Sequence, residues 1–311
     1  MTNNISYTPE EVAKILKISR FTVYELIKRG ELTAYRIGRK VRVEPADLEQ
    51  YKLKAKGCPK VTNSPMVRPV ESYFSPEDGL IICGQDLVLD ILARYLERKM
   101  PQLRFLRSYI GSMDGLLALY KGTVNVASSH LWDGELDQYN IPYMRHLLPG
   151  QSVSVFNLVY RMTGFYVAKG NPLGITDWWD LTRPDIRFIN REKGSGARVL
   201  LDEKLRKLGI DCNCILGYDQ EESSHLAIAS RVARGEVQIG LGIEKAALQV
   251  KEVEFIPLTK ERYDLVVRKE DLSKPHFQLL LEILSSFEFR NEVKGMGGYD
   301  ISHMGKLMGV I

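Results

Sequence analysis

The sequence is short of cysteine, of long apolar runs and of the motifs that catalysis leaves behind. Four cysteines, Cys58, Cys83, Cys212 and Cys214, are scattered through 311 residues. They are too few and too uneven for a disulfide framework and fit a reducing compartment. No run approaches the ~18 apolar residues that span a bilayer. The longest uncharged stretch, His146 to Tyr160, is broken by Pro149, Gly150, Ser152, Ser154 and Asn157. Met1 to Glu10 has neither the basic nor the apolar segment of a secretory signal. A cytoplasmic protein with no membrane partner is expected.

The chemistry is equally sparse. Gly194-Ser195-Gly196 is not a nucleophile elbow. There is no phosphate-cradling G-x-x-x-x-G-K-[ST] loop and no H-E-x-x-H pair. Gly240-Leu241-Gly242 lacks the third glycine of a dinucleotide fingerprint, and Cys212-Asn213-Cys214 has neither the spacing nor the second pair of a zinc knuckle. The expectation is no catalytic residue, no metal, no cofactor and no enzyme.

What is present is an ordinary globular composition, 44% apolar and 26% charged, long enough for two or three domains. Its net charge of +4 is unevenly spread. Residues 1–60 carry thirteen Lys/Arg against seven Asp/Glu, and the remaining 251 residues are slightly acidic. A basic head on a nearly neutral body points to a nucleic-acid partner for the head.

Within the head, Thr8-Pro9-Glu10-Glu11 is a helix start: a capping threonine, proline at the first position and a glutamate that completes a capping box. Val12, Ala13, Ile15 and Leu16 follow at helical spacing. Ser19 caps a second helix with Val23, Leu26 and Ile27 inward, and Gly30 stops it. Residues 32–43 read as a hairpin turning at Gly38-Arg39, and Glu44-Pro45-Ala46-Asp47 opens a third helix with Leu48 and Tyr51 inward. Helix, helix, basic wing, helix: residues 7–52 resemble the excisionase-type (MerR-like) winged helix-turn-helix. In that motif the second helix enters the major groove and leads with its N-terminal residues. The expected partner is double-stranded DNA, contacted by Arg20, Thr22, Tyr24 and Lys28 on the helix and by Arg36, Arg39, Lys40 and Arg42 on the wing. Phe21 is expected to pack rather than to touch bases.

Prolines and lysines with little periodicity mark a linker over 55–76. We therefore expect a DNA-binding domain over 1–54 and a second domain over 77–311. From Leu80 strands and helices alternate, the signal for an α/β fold with a mostly parallel sheet. Val153–Tyr160 and Gly164–Ala168 follow each other with no helix between, as strands crossing between two lobes would. Helices are expected over 197–208, 224–234, 244–250 and 276–287, strands over 254–258 and 263–268. The segments Gly111–Gly122, Val124–His130, Arg191–Arg198 and Arg234–Gly242 resemble the type II periplasmic-binding-protein fold, with the molybdate/tungstate-binding type as the nearest subgroup.

In open α/β sheets ligands sit beyond the carboxyl ends of strands, where helices begin. Helix N-termini offer unpaired N–H groups and the positive dipole end. The turns here are rich in Ser and Gly, which gives Gln85, Asp86, Ser112, Ser128, Ser129, Lys193, Ser195, Gly196, Ser223 and Ser224 as candidate ligand contacts. An oxyanion such as molybdate or tungstate fits that chemistry. The whole reads as a transcriptional regulator, working as a homodimer that senses a small ligand. The alternatives are a molybdenum-cofactor-related binding protein or enzyme, and an excisionase-like recombination factor.

Overall fold

The computed structural model describes residues 6–38, 40–55 and 79–311. The chain divides into two units, Met1–Glu71 and Ser72–Ile311. Arg39 and the linker residues 56–76, Cys58 among them, lie outside the described residues.

In the first unit α1 (Pro9–Leu16) carries the expected capping box: Thr8 N donates to Glu11, and Glu11 N donates back to the Thr8 hydroxyl. Next come α2 (Arg20–Lys28), the antiparallel wing β1 (Tyr35–Ile37) and β2 (Lys40–Arg42), and α3 (Pro45–Ala55). The core is small: Val12, Ala13, Val23, Leu26, Leu32, Val43 and Leu48 are buried together. Ile15, expected inward, is 41% exposed. The helix has only two turns, and Val12, Ala13 and Leu16 already span its buried stripe.

The second unit opens with β3 (Gly79–Cys83), α4 (Leu87–Lys99), β4 (Arg104–Ser108), α5 (Ser112–Tyr120) and β5 (Val126–Ser129). A small hairpin, β6 (Trp132–Asp133) and β7 (Gln138–Tyr139), and α6 (Ile141–Leu147) lead into β8 (Val153–Ala168). Then come β9 (Phe188–Arg191), α7 (Gly196–Leu208), β10 (Glu221–Glu222), α8 (His225–Ala233), β11 (Ile239–Ile243), α9 (Glu244–Ala247) and β12 (Val253–Arg268). The chain closes with α10 (Pro275–Ser285), α11 (Phe287–Gly295), β13 (Tyr299–Asp300) and β14 (Leu307–Val310).

One ten-stranded sheet runs through this unit in the order β10-β9-β11-β8-β12-β5-β3-β4, with β13 and β14 added on β8. Strands β3, β4 and β5 are mutually parallel, as are β9, β10 and β11. The two long strands β8 and β12 join these halves by antiparallel pairing. The sheet is therefore mixed rather than mostly parallel: parallel within each lobe, antiparallel where the chain crosses and returns. Two expected pairs of short strands are in fact one strand each, β8 and β12. Helices cover both faces of each lobe, α4, α10 and α11 opposite α5 and α6 in the first, α7 opposite α8 and α9 in the second. Burial of both faces explains why β8 is apolar or paired along nearly all its length.

Candidate functional site

Between the lobes, four strand-to-helix turns point at one place. The N-terminus of α4 is capped by Asp86, that of α7 by Ser195 and that of α8 by Ser224, whereas α5 starts at Gly111 with no side-chain cap. They surround a small hole of about 20 Å³, lined by the side chains of Ser112, Ser128, Ser195, Arg161, Arg191 and His225. That is more than the ~10–15 Å³ that a single water requires, so the hole admits a small polar group.

Two buried arginines supply the cationic groups. Arg161 lies in the middle of β8, ion-paired to Asp86 and Glu261, with its guanidinium 4.2 Å from the Tyr263 ring. Burial opposes its charge, but the two carboxylates outweigh that and hold it firmly protonated. Glu261 is buried too, and Arg161 with His130 keeps its carboxyl well below the usual range. Arg161 spends Nε and Nη1 on these partners; among the described residues, Nη2 makes no further hydrogen bond. Arg191 donates from Nη2 to Gln85 Oε1 at 2.7 Å, to Ser223 O at 3.1 Å and to Glu192 at 2.7 Å. Its Nη1 is likewise without a partner among the described residues.

The hydroxyls complete the lining. Ser195 and Ser224 accept from their own helices, at 3.3 and 3.1 Å. A capping oxygen uses a lone pair and keeps its O–H to donate. Ser112 Oγ accepts from His130 N at 3.3 Å, and Ser128 Oγ is 2.6 Å from the Tyr263 hydroxyl. His225 is buried, and its Nδ1 has no partner. Burial, reinforced by Arg191 and Arg161, pushes this imidazole well below its ordinary range, so it is neutral at pH 7. Glycines make room: a Cβ on Gly196 would sit 2.4 Å from the His130 ring.

The lobes are closed on this hole. Gln85 of the first lobe bonds Arg191 of the second, and Met113 N donates to Gly194 O across the gap at 3.0 Å. An outer chamber of about 420 Å³ adjoins the hole and shares Gln85 and His225 with it.

Most of the expected contacts lie here. Gln85, Ser112, Ser128, Ser195 and Gly196 line the hole; Gln85, Asp86, Ser223 and Ser224 line the chamber. Ser129 and Lys193 line neither. Ser129 neighbours Ser128 on β5 and points to the opposite face of the sheet. Lys193 is exposed on the turn. Asp86 is at the site with its oxygens already spent: Oδ1 accepts from Val88 N and the Tyr299 hydroxyl, Oδ2 from Arg161. Its role is to cap α4 and balance Arg161. Sequence reasoning missed Arg161, Glu261 and Tyr263 altogether. A charged triplet inside an apolar pattern was the available signal, and it reads as a loop.

The head has a second candidate surface. Arg20, Thr22, Tyr24 and Lys28 are exposed on α2. Arg20 pairs with Glu10 at 2.7 Å and lies over the Tyr24 ring, and the Thr22 hydroxyl is 2.8 Å from Ser19 Oγ. The wing register places Arg36 opposite Val41, on the other face from Lys40 and Arg42. Arg36 thereby joins Tyr24 and Lys28 along a groove between helix and wing, whereas Lys40 and Arg42 face away. Phe21, expected to pack, is 75% exposed. Val23 and Leu26 fill the buried side of α2, which leaves position 21 on the outer side with Arg20 and Tyr24.

Comparison with known proteins agrees with both halves. A helix-turn-helix domain matches residues 6–56 and a PBP superfamily domain residues 93–285. The uncharacterized protein YvgK of Bacillus subtilis (strain 168) is 42% identical over 318 residues, 99% of either chain. Among solved structures, a putative phosphate ABC transporter substrate-binding protein from Clostridium perfringens with bound phosphate superposes with TM-score 0.54, at 17% identity, over 71% of this chain and 98% of that one. The effector-binding domain of QuiR in complex with shikimate gives TM-score 0.50 at 14% identity, over 70% and 97%. At these identities the structures speak to fold. Among the described residues no helix is long and apolar enough to cross a membrane. With a helix-turn-helix over residues 6–56 followed in the chain by a two-lobed α/β unit, the chain belongs to the periplasmic-binding-protein (PBP) superfamily.

Proposed function

We propose that the chain is a cytoplasmic one-component transcriptional regulator whose body senses a small anion. The observation that carries this reading is the small polar hole between the lobes. Two buried guanidinium groups, three serine hydroxyls and the N-termini of α5, α7 and α8 converge on it, in a chain that also carries a helix-turn-helix. Helix ends and hydroxyls stabilise an anion without a dedicated metal. Oxyanions such as molybdate, tungstate and sulfate are its simplest occupants. Ser112, Ser128, Ser195, Arg161 and Arg191 are the proposed contacts.

In the head, Arg20, Thr22, Tyr24, Lys28 and Arg36 are the proposed contacts near the bases, and Arg39, Lys40 and Arg42 follow phosphates. One small head covers limited DNA, so the working form is a homodimer on paired half-sites. The proposed boundaries are 1–54 for the head, 55–76 for the linker and 77–311 for the sensor. Coupling requires the anion to favour one DNA-affinity state of the protein. A recombination factor would leave the built hole without a task.

Titration calorimetry with molybdate, tungstate, sulfate and phosphate tests the sensor, and operator binding with and without the tightest of them tests the coupling. Absence of heat with all four would remove the inorganic-oxyanion form of the proposal, and an unchanged operator affinity would remove the regulation.

A further inference from the structure

The hole and the chamber beside it share Gln85 and His225 in their walls and differ in their chemistry. The hole, at about 20 Å³, takes a single small group; the chamber, at about 420 Å³, is of the size that organic ligands occupy, roughly 300–1,000 Å³. The hole is lined by guanidinium, imidazole and hydroxyl groups. The chamber is lined instead by Leu87, Leu226, Ile243 and Ala246 and by the rings of Tyr109 and Tyr299. Leu87 comes from the first lobe and Leu226 from the second, and they remain 46% and 47% exposed. A single exposed leucine is unremarkable; two from opposite lobes at the start of the helices that build one cleft leave apolar surface facing a common space. His225 belongs to both rooms, and its Nδ1 is a buried polar atom without a partner.

The two charged side chains of the chamber are both engaged by the protein. Lys245, its cation, donates to Met296 O, and Asp86 is engaged with Val88 N, Tyr299 and Arg161. A bare oxyanion would fill the hole and leave the chamber wet. We propose that the ligand is an organic anion: one carboxylate or phosphate-monoester group seated among Ser112, Ser128, Ser195, Arg161 and Arg191, and an apolar or aromatic body in the chamber against Leu87, Leu226 and Ile243. This rests on the reading of the hole as an anion site. Closure then buries both ends of the ligand at once, the charged end against hydroxyls and the apolar end against leucines contributed by both lobes.

The test is calorimetry on the full chain with three kinds of probe: inorganic phosphate and molybdate; phenyl phosphate and benzoate; and neutral benzamide. Phenyl phosphate or benzoate is expected to bind at least tenfold more tightly than either inorganic anion, and benzamide not measurably. The double variant Leu87→Gln/Leu226→Gln, at two half-exposed positions that leave the core intact, should cost the organic anion about tenfold and leave inorganic phosphate unchanged. Molybdate or phosphate binding as tightly as the organic anions, and insensitive to the double variant, would overturn the inference while keeping the anion hole. Benzamide binding as tightly as benzoate would overturn the anion hole itself, and no binding by any probe would overturn both.

Discussion

The head and the body keep their charges in opposite ways. In the head, Lys28, Arg36 and Lys40 are exposed on α2 and the wing, and the ion pair that Arg20 makes with Glu10 lies in solvent. In the body, Arg161 is buried between two buried carboxylates and over an aromatic ring, and Arg191 is tied to Gln85, Glu192 and a backbone carbonyl. A surface cation costs the fold nothing and is available to a polyanion. A buried one must be neutralised before folding can tolerate it, and its remaining donors point into an enclosed space. Where a protein leaves its positive charge therefore distinguishes a surface that meets a large, charged partner from a pocket that closes on a small one.

The largest expected effect breaks the body's half of that contrast. Arg161→Met leaves Asp86 and Glu261 buried without their cation and should cost about 3–5 kcal/mol of stability, read from urea unfolding. Lys40→Ala on the wing should leave the midpoint unchanged. A cost under about 1 kcal/mol for Arg161→Met would mean the two carboxylates find other partners. The head's half is broken by salt. Lys40→Ala and Arg42→Ala should each weaken DNA binding and lower the slope of log affinity against log salt by about 1. An unchanged slope would show that neither cation reaches a phosphate.

Two smaller effects sharpen the picture within the site. Ser195→Ala removes the cap of α7, for about 1 kcal/mol, and should weaken anion binding as well. Its control is Ser129→Ala, expected to leave ligand binding untouched and the fold no less stable, because that hydroxyl is buried and unbonded. Equal losses of binding from both would return Ser129 to the site. The last effect is one of pH. His225 is held neutral by burial and by Arg191 and Arg161. A bound anion favours its protonated form, so anion affinity should rise as pH falls from 7 toward 5, measured by calorimetry with proton uptake. Stability runs the other way. The unfolded imidazole takes a proton near its ordinary pKa of about 6.5 while the folded one does not, so unfolding free energy should fall as pH drops below that value. His225→Gln should flatten both profiles.

The head was legible almost residue by residue because its signals are local. A capping box, a Pro at the first helical turn and a glycine after α2 act within four residues, and the structure uses each. Phe21 escaped because packing in a small three-helix unit depends on which face of α2 its partners cover. In the body the turns were legible for the same local reason: Ser195 and Ser224 read as caps and are caps. The centre was not. Residues 161–163 and 259–262 read as breaks between short strands because Arg161, Lys260, Glu261 and Arg262 interrupt the apolar pattern. In the fold these breaks pair with each other, Arg161 opposite Glu261, inside two unbroken sixteen-residue strands. Asp86 arrives from 75 residues away to complete the balance. Charges that look like loop residues one at a time are core residues only together, and their meeting depends on a topology that no local window contains.

Those two strands give the body a mechanical character. Because β8 and β12 run side by side through both lobes, the lobes are joined by a doubly paired ribbon rather than by separate threads. Each lobe is a stiff block bolted to one end of a leaf spring, and the spring is thinnest where its register slips, between Pro257 and Thr259 and between Tyr263 and Asp264. Any movement of one lobe against the other must therefore bend that ribbon or break its pairing.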